Sequence, residues 1–229
     1  HPMKLLGYIP ARQGSQRLKN KNFIPFYKNL SLTEIAILQA KKLKDISKIV
    51  LDTDNKKFGE EIKKKHPKIN IHIRNKEFAK HKSSIQQTLI NFYDTNNLNK
   101  NGNFTHTIIL QPTSPLRKDT YMNEAIKYFI ENNMDLVVSA SKAIIEPADL
   151  IKIDEEDRIM KLNFKKRDNI YFETGQFYII KNEYLFKSND PFSIINKQNL
   201  FFTPMNHSID IDNLSQFNIA KILYKENPF

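Results

Sequence analysis

The chain of 229 residues contains no cysteine. Disulfides, thiolate metal sites and a cysteine nucleophile are therefore excluded, which is compatible with a reducing compartment. No apolar run approaches the roughly 18 residues of a membrane span. The opening HPMKLLGYIP is too short and too abruptly ended for a signal peptide. His1 and Pro2, ahead of Met3, read as an added remnant. These features predict a cytoplasmic protein without a membrane partner. Glycine is scarce, at five residues, so each is expected where the backbone demands it. Gly14 lies in the loop after the first apolar run, and Gly175 lies in ETGQFY ahead of another.

Charge is plentiful. The net charge of +11 favours an anionic partner. Much of it is Lys spread along helical stretches such as KKLKDISK and EEIKKKHPK, the pattern of a solvated face. A basic nucleic-acid-binding module would need a clustered basic face or stacking aromatics. No such motif is present, and nucleic acid is not an expected partner.

The apolar periodicity predicts strands at residues 4–10, 48–54, 69–74, 106–111 and 135–141, and helices at 31–43, 56–65, 83–93 and 119–132. This alternation implies one α/β domain, residues 3–229, with a mostly parallel sheet and helices on both faces. Beyond residue 141 the pattern changes to the short strands LIKID, RIMKLNF, GQFYII and NLFFTPM, then a closing helix at 214–224. The region of about 142–204 is expected to contain a small antiparallel extension used for dimerisation, with Phe164, Phe186, Phe192 and Phe201 on its surface.

Three segments carry candidate chemistry. In YIPARQGSQRLKNKN an apolar run stops at Pro10, and Arg12, Arg17, Lys19 and Lys21 follow around Gly14 and Ser15. The carboxyl end of a strand in a parallel sheet is where ligands bind. The loop is either a phosphate cradle, with Gly14 and Ser15 offering backbone N–H groups, or a basic solvated loop. It is neither a Walker loop nor GxGxxG. QPTSPLR, residues 111–117, has two prolines after a buried strand. It reads as a rigid shelf offering Gln111, Thr113, Ser114 and Arg117, or as a turn capping the next helix at Asp119. In SIDID, alternation puts Asp210 and Asp212 on one face. Two carboxylates there suit an oxygen-liganded Mg²⁺, unless Asp212 or Asn213 simply caps the closing helix. Asp52 and Asp54 also end a strand and are expected to be solvated turn carboxylates.

In that order and spacing, IPARQGSQRLKNKN, IVLDTD, ILQPTSPLR and SIDID resemble the acylneuraminate cytidylyltransferases, the CMP-sialic and CMP-nonulosonic acid synthetases, over nearly the whole chain. The resemblance implies a Rossmann-like fold, a homodimer and transfer of CMP from CTP to a nine-carbon acidic sugar, with Mg²⁺ and release of pyrophosphate. It implies Arg12, Gly14, Ser15 and Lys21 on the phosphates and Asn22, Arg74 and Ser84 on the base. Gln111 and Tyr178 would lie on the sugar, and Asp210 and Asp212 on the metal. Arg12, Lys21 and Asp212 are the catalytic candidates, with Asp212 or a metal-held water as base. The chain departs from relatives that carry NGAIY: Thr174 of FETGQFY replaces the Asn, and position 172 holds no Arg. Arg167 in NFKKRD is the candidate for the sugar carboxylate. An eight-carbon acid, 3-deoxy-manno-octulosonate, is the rival substrate.

Overall fold

The computed structural model describes residues 2–79, 84–98, 103–162, 164–165 and 169–228. In chain order, strand β1 (Leu5–Ala11) leads through a loop to the small hairpin β2 (Pro25–Tyr27) and β3 (Leu30–Ser31). Helix α1 (Leu32–Lys41), β4 (Ile46–Thr53), α2 (Lys56–Lys65), β5 (Asn70–Ile73), α3 (Ile85–Thr95), β6 (His106–Ile109), α4 (Asp119–Glu131) and β7 (Leu136–Lys142) follow. Next come β8 (Ile151–Ile153), β9 (Ile159–Lys161), β10 (Tyr171–Lys181), α5 (Asn182–Lys187), β11 (Leu200–Phe202) and α6 (Leu214–Glu226). The helix starts obey local chemistry. Ser31, Ser84 and Asn213 each accept from a backbone N–H of the first turn and close a capping box with Glu34, Gln87 and Gln216.

Among the described residues the main sheet has seven strands in the order β11-β7-β10-β6-β1-β4-β5. All neighbours pair in parallel except β10, which runs antiparallel to both β6 and β7. Alternation along β1 sends Leu5 and Ile9 to one face and Leu6 and Tyr8 to the other. The first face is covered by Ala36, Ile37 and Ala40 of α1 and Met122, Ile126 and Phe129 of α4. The second is covered by Leu89, Phe92 and Tyr93 of α3 and Leu185 of α5. A third cluster locks α6 onto the β2–β3 hairpin through Phe26, Phe217, Ala220 and Tyr224, with Ile211 buried among them.

Two expectations are corrected here. The segment after residue 141 is not a separate antiparallel extension as a whole. The GQFYII strand enters the middle of the main sheet as β10, and NLFFTPM forms its edge as β11. β10 is too apolar to stand apart: its Phe177, Ile179 and Ile180 are fully buried. Only the β8–β9 hairpin projects as its own two-stranded sheet. Of the four phenylalanines expected on the surface, Phe164 and Phe186 are exposed, whereas Phe192 and Phe201 pack against core clusters.

Candidate active site

Residues at and just beyond the carboxyl ends of β1, β5 and β6 line an open cleft of about 300 Å³. It brings together Arg12, Lys21, Asn22, Arg74, Gln111, Asp210 and Asp212, drawn from four separate stretches of sequence. The loop after β1 is fixed at both ends. The Gln13 N–H donates to Asp54 Oδ1 (2.8 Å), and Asn22 Nδ2 donates to the Arg12 carbonyl (3.0 Å). The Asn22 carbonyl in turn accepts from the Thr33 hydroxyl (2.7 Å) at the start of α1. The Asn22 side chain is 5% exposed, and its Oδ1 has no hydrogen-bond partner among the described residues. A buried acceptor left in this state costs free energy that a ligand donor can recover.

Lys21 reaches across to the SIDID segment, where Nζ donates to the Ile211 carbonyl (2.9 Å) and lies 3.4 Å from Asp212 Oδ1. Ile211 is fully buried and its N–H donates to the Thr113 carbonyl (2.9 Å). Burying an Ile side chain is worth about 1.5–3 kcal/mol, so this residue anchors the segment and turns its two neighbours outward. Asp210 and Asp212 both line the cleft. The Asp210 carboxyl is raised above its ordinary value, first by packing around it and then by the charge of Asp212. A Thr113 hydrogen bond, Lys21 and Arg117 act against that rise. Asn213, not Asp212, caps α6 with its side chain.

The QPTSPLR shelf is rigid for a reason its composition did not disclose. Arg117 is 1% exposed and is not a cleft cation. Its Nε donates to Gln39 Oε1 (2.8 Å) and its Nη1 to the Gln176 carbonyl (2.7 Å). Gln39 of α1 returns hydrogen bonds to the carbonyls of Pro115 and Arg117 (2.7 and 3.1 Å). The shelf is thereby tied to both α1 and β10. Burial pushes the Arg117 guanidinium down to about 9, opposed by the charges of Tyr121 and Asp210. The turn does not cap α4 through a side chain: Lys118 holds that position without a cap hydrogen bond, and Asp119 is only an acidic first-turn residue.

Because β10 runs against its neighbours, its early residues arrive at the same sheet end as Gln111. The pairing with β7 breaks between Glu173 and Tyr178, and Gly175 there takes φ +70°. The break is filled by buried hydroxyls. Thr174 Oγ1 donates to Ser139 Oγ (2.7 Å), and Ser139 Oγ accepts from the Phe177 N–H (3.1 Å). Thr174, at 3% exposure, therefore faces the core and not the cleft. Tyr178 is half-buried, edge-on to Phe192, and its phenol is raised by burial and by the charges of Glu173 and Asp210.

Other candidates fare differently. Gly14 is exposed with open space around it, and the Ser15 N–H is turned back to the Gln13 carbonyl (2.9 Å). The expectation that Ser15 offers a free backbone donor is thus corrected. Ser84 caps α3, whose Ile85 and Thr88 line the cleft. Arg167 lies outside the described residues. The clearest miss is Asp52, expected to be a solvated turn carboxylate but only 1% exposed. Its Oδ1 accepts from Arg74 Nε (3.1 Å), its Oδ2 accepts from the Tyr8 hydroxyl, and its backbone carbonyl accepts from Arg74 Nη2 (3.3 Å). The adjacency of two parallel strands creates this pairing. An Arg one residue past the strand beside IVLDTD was the sole sequence signal for it. Asp54 is likewise engaged, through Gln13.

A sequence model of the family described as cytidylyltransferase matches residues 6–222. A pseudaminic acid cytidylyltransferase of Campylobacter jejuni (strain 81-176) is 25% identical over 98% of both chains. A CMP-N,N'-diacetyllegionaminic acid synthase of Legionella pneumophila is 26% identical over 98% of both chains. An N-acylneuraminate cytidylyltransferase of Escherichia coli O18:K1:H7 is 26% identical over 95% of this chain and 51% of its own length. Among solved structures, a CMP:2-keto-3-deoxy-manno-octonic acid synthetase complexed with CTP has TM-score 0.71 at 12% identity, covering 97% of this chain and 99% of that one. That likeness speaks to the fold.

Proposed function

Since the chain belongs to the cytidylyltransferase family, we propose that it transfers CMP from CTP to a nine-carbon acidic sugar and releases pyrophosphate. The sugar is of the pseudaminic, legionaminic or sialic acid kind, the class named for its full-length relatives. The observation that carries the nucleotide half of this reading is the orphaned Asn22 Oδ1 in the same cleft as the pinned Arg74. Cytosine presents an amino group, which such an acceptor recognises, and adjacent O2 and N3 acceptors, which suit a guanidinium edge. A buried polar group rejects the analogue that leaves it unpaired.

In the reaction the anomeric hydroxyl attacks the α-phosphorus of CTP in line and gives its proton to Asp212 or to a water held there, the P–O bond to the β-phosphate breaks, and pyrophosphate leaves with its electron pair. Arg12 and Lys21 meet the charge that develops on the leaving group, a preorganised electrostatic contribution. Gln111 and the Gly175 backbone form the sugar side, with Tyr178 behind them. The inward turn of Thr174 leaves that wall without the side-chain amide of relatives carrying NGAIY.

Among the described residues no cluster of three or more His, Asp or Glu side chains could hold a metal alone. Asp210 and Asp212 nevertheless fit Mg²⁺, which commonly takes one or two carboxylates and completes its shell with substrate phosphates and water. The Asp210 carboxyl, raised first by burial and then by the Asp212 charge, is one whose ionised form a nearby cation would favour. When bound, the ion would neutralise charge on the phosphate oxygens.

Assembly is part of the proposal. The β8–β9 hairpin exposes Ile151, Ile153, Ile159 and Met160, and an isolated two-stranded hairpin is barely stable in water. A second copy covering it supplies the missing burial, giving a homodimer. Among the described residues no helix is long and apolar enough to cross a membrane, and CTP as substrate is in keeping with the cytoplasm.

The test is pyrophosphate release with each of the four nucleoside triphosphates against a panel of nonulosonic acids and 3-deoxy-manno-octulosonate. Turnover only with CTP and a nine-carbon acid is the expected result. Equal turnover of ATP or GTP refutes the base reading, and preference for the eight-carbon acid refutes the sugar class.

A further inference from the structure

We propose that Asp52, held by Tyr8, is a positioning residue that sets the choice of cytosine over uracil by fixing the orientation of the Arg74 guanidinium. This rests on the reading of Arg74 as a base-contacting residue. Asp52 is far too buried to touch a nucleotide itself, and it does not line the cleft. Its two carboxylate oxygens serve two different partners, Arg74 Nε and the Tyr8 hydroxyl. Arg74 is also fixed at its backbone, where its N–H donates to the Thr53 carbonyl (2.8 Å).

The consequence follows from donor arithmetic. A guanidinium carries five N–H donors. Two of them, Nε–H and one on Nη2, are consumed by the Asp52 carboxylate and backbone carbonyl. Among the described residues this leaves the far edge, with Nη1 and the second Nη2 hydrogen. That edge presents two parallel donors, complementary to the O2 and N3 acceptors of cytosine. Uracil keeps O2 but carries a hydrogen on N3, so the pinned edge meets a donor with a donor. An unpinned guanidinium could rotate and satisfy O2 of either base through one hydrogen bond. Selectivity therefore depends on the pin as well as on the presence of an arginine.

The support beneath Asp52 is built to persist. The Tyr8 phenol is fully buried and raised well above its ordinary value, by burial and by the Asp52 charge. It stays protonated and continues to donate. The Asp52 position sits between Pro10 of β1 and His72 of β5 in the parallel ladder, so it cannot shift without moving the sheet.

Isothermal titration of the full chain with CTP and with UTP, without sugar, tests this directly. Wild-type protein is compared with Asp52→Asn, Tyr8→Phe and Arg74→Lys, each checked for folding by circular dichroism. The expected result is a strong CTP preference in the wild type. In Asp52→Asn the CTP/UTP affinity ratio should fall by at least about tenfold, mostly through weaker CTP binding. Tyr8→Phe strands no charge and should lower the ratio by about threefold. A purely structural role would lower the melting temperature and leave the ratio untouched. If Arg74→Lys loses the preference while folded Asp52→Asn keeps it, the positioning role is overturned and the base reading stands. If the wild type binds CTP and UTP equally, the base reading itself is overturned. Should Asp52→Asn fail to fold, a wild-type ratio in Tyr8→Phe overturns the inference.

Discussion

Replacing Gly175 by Ala probes the strained turn that brings β10 to the cleft. At φ +70° an L-residue is disfavoured by about 1–2 kcal/mol. The substitution also stiffens the unfolded chain, which returns roughly 0.4–1 kcal/mol. A net loss of ~1 kcal/mol follows from these two terms. The new Cβ adds no overlap, since it would stand 3.5 Å from Gln111 Oε1, 3.9 Å from Ser114 Oγ and 4.0 Å from Asp210 Oδ2. These are ordinary contacts, so strain dominates the stability effect. For a domain of this size 1 kcal/mol lowers Tm by about 2–4 °C. The same methyl group stands against the Gln111 carboxamide on the proposed sugar side. A methyl group occupying that space crowds the sugar without moving Gln111 and should raise the KM for sugar by ~10-fold while leaving CTP affinity nearly unchanged. Thermal melting by circular dichroism and initial rates of pyrophosphate release, with sugar and CTP varied in turn, read the two effects. An unchanged or higher Tm together with an unchanged sugar KM would refute both the strain and the placement of the turn.

Two further outcomes are expected. Asp210 has a raised carboxyl, so its ionised form is disfavoured in the folded protein; it costs stability above its folded pKa and none below the unfolded value. Asp210→Asn should therefore raise Tm near neutral pH, with the gain vanishing as the pH falls into the ordinary carboxylate range. The same variant should lose most activity, as should the wild type in EDTA. A lower Tm at neutral pH, or full activity in either case, would contradict the assignment. On the β8–β9 hairpin Ile153 and Ile159 face each other across the strands. Changing both to Lys should convert a dimer into a monomer by light scattering at micromolar concentration, and a monomeric wild type would refute the interface.

The elements of the first 141 residues were legible because each has a clean period and a local stop signal. Residues 48–54, for example, read as a strand ending in carboxylates, and β4 spans Ile46–Thr53. Of the later segments, LIKID and RIMKLNF do form their own antiparallel hairpin, but GQFYII and NLFFTPM were assigned to the wrong sheet. Strand period tells which residues are buried together, not which neighbour they pair with. Nothing local in GQFYII says that β10 inserts between β6 and β7. The site divides in the same way. Lys21, Asn22, Asp210 and Asp212 were picked out as motif residues, and they do meet in one cleft. Asp52 and Arg117 were misjudged because a charge in a polar turn looks alike whether solvated or buried.

The sequence by itself determined the α/β alternation, the basic loop after the first strand, and the alternation in SIDID that sends Ile211 to the core and its flanking aspartates outward. All three are set by side-chain periodicity and local turn chemistry, which act over a few residues. The tertiary structure alone decided which charges face the cleft and which support it from behind. Arg74 meets Asp52 across 22 positions, and Lys21 meets Asp212 across 191. Such pairs exist only after strands have chosen their neighbours, and it is burial at that stage that turns a solvated carboxylate into a clamp.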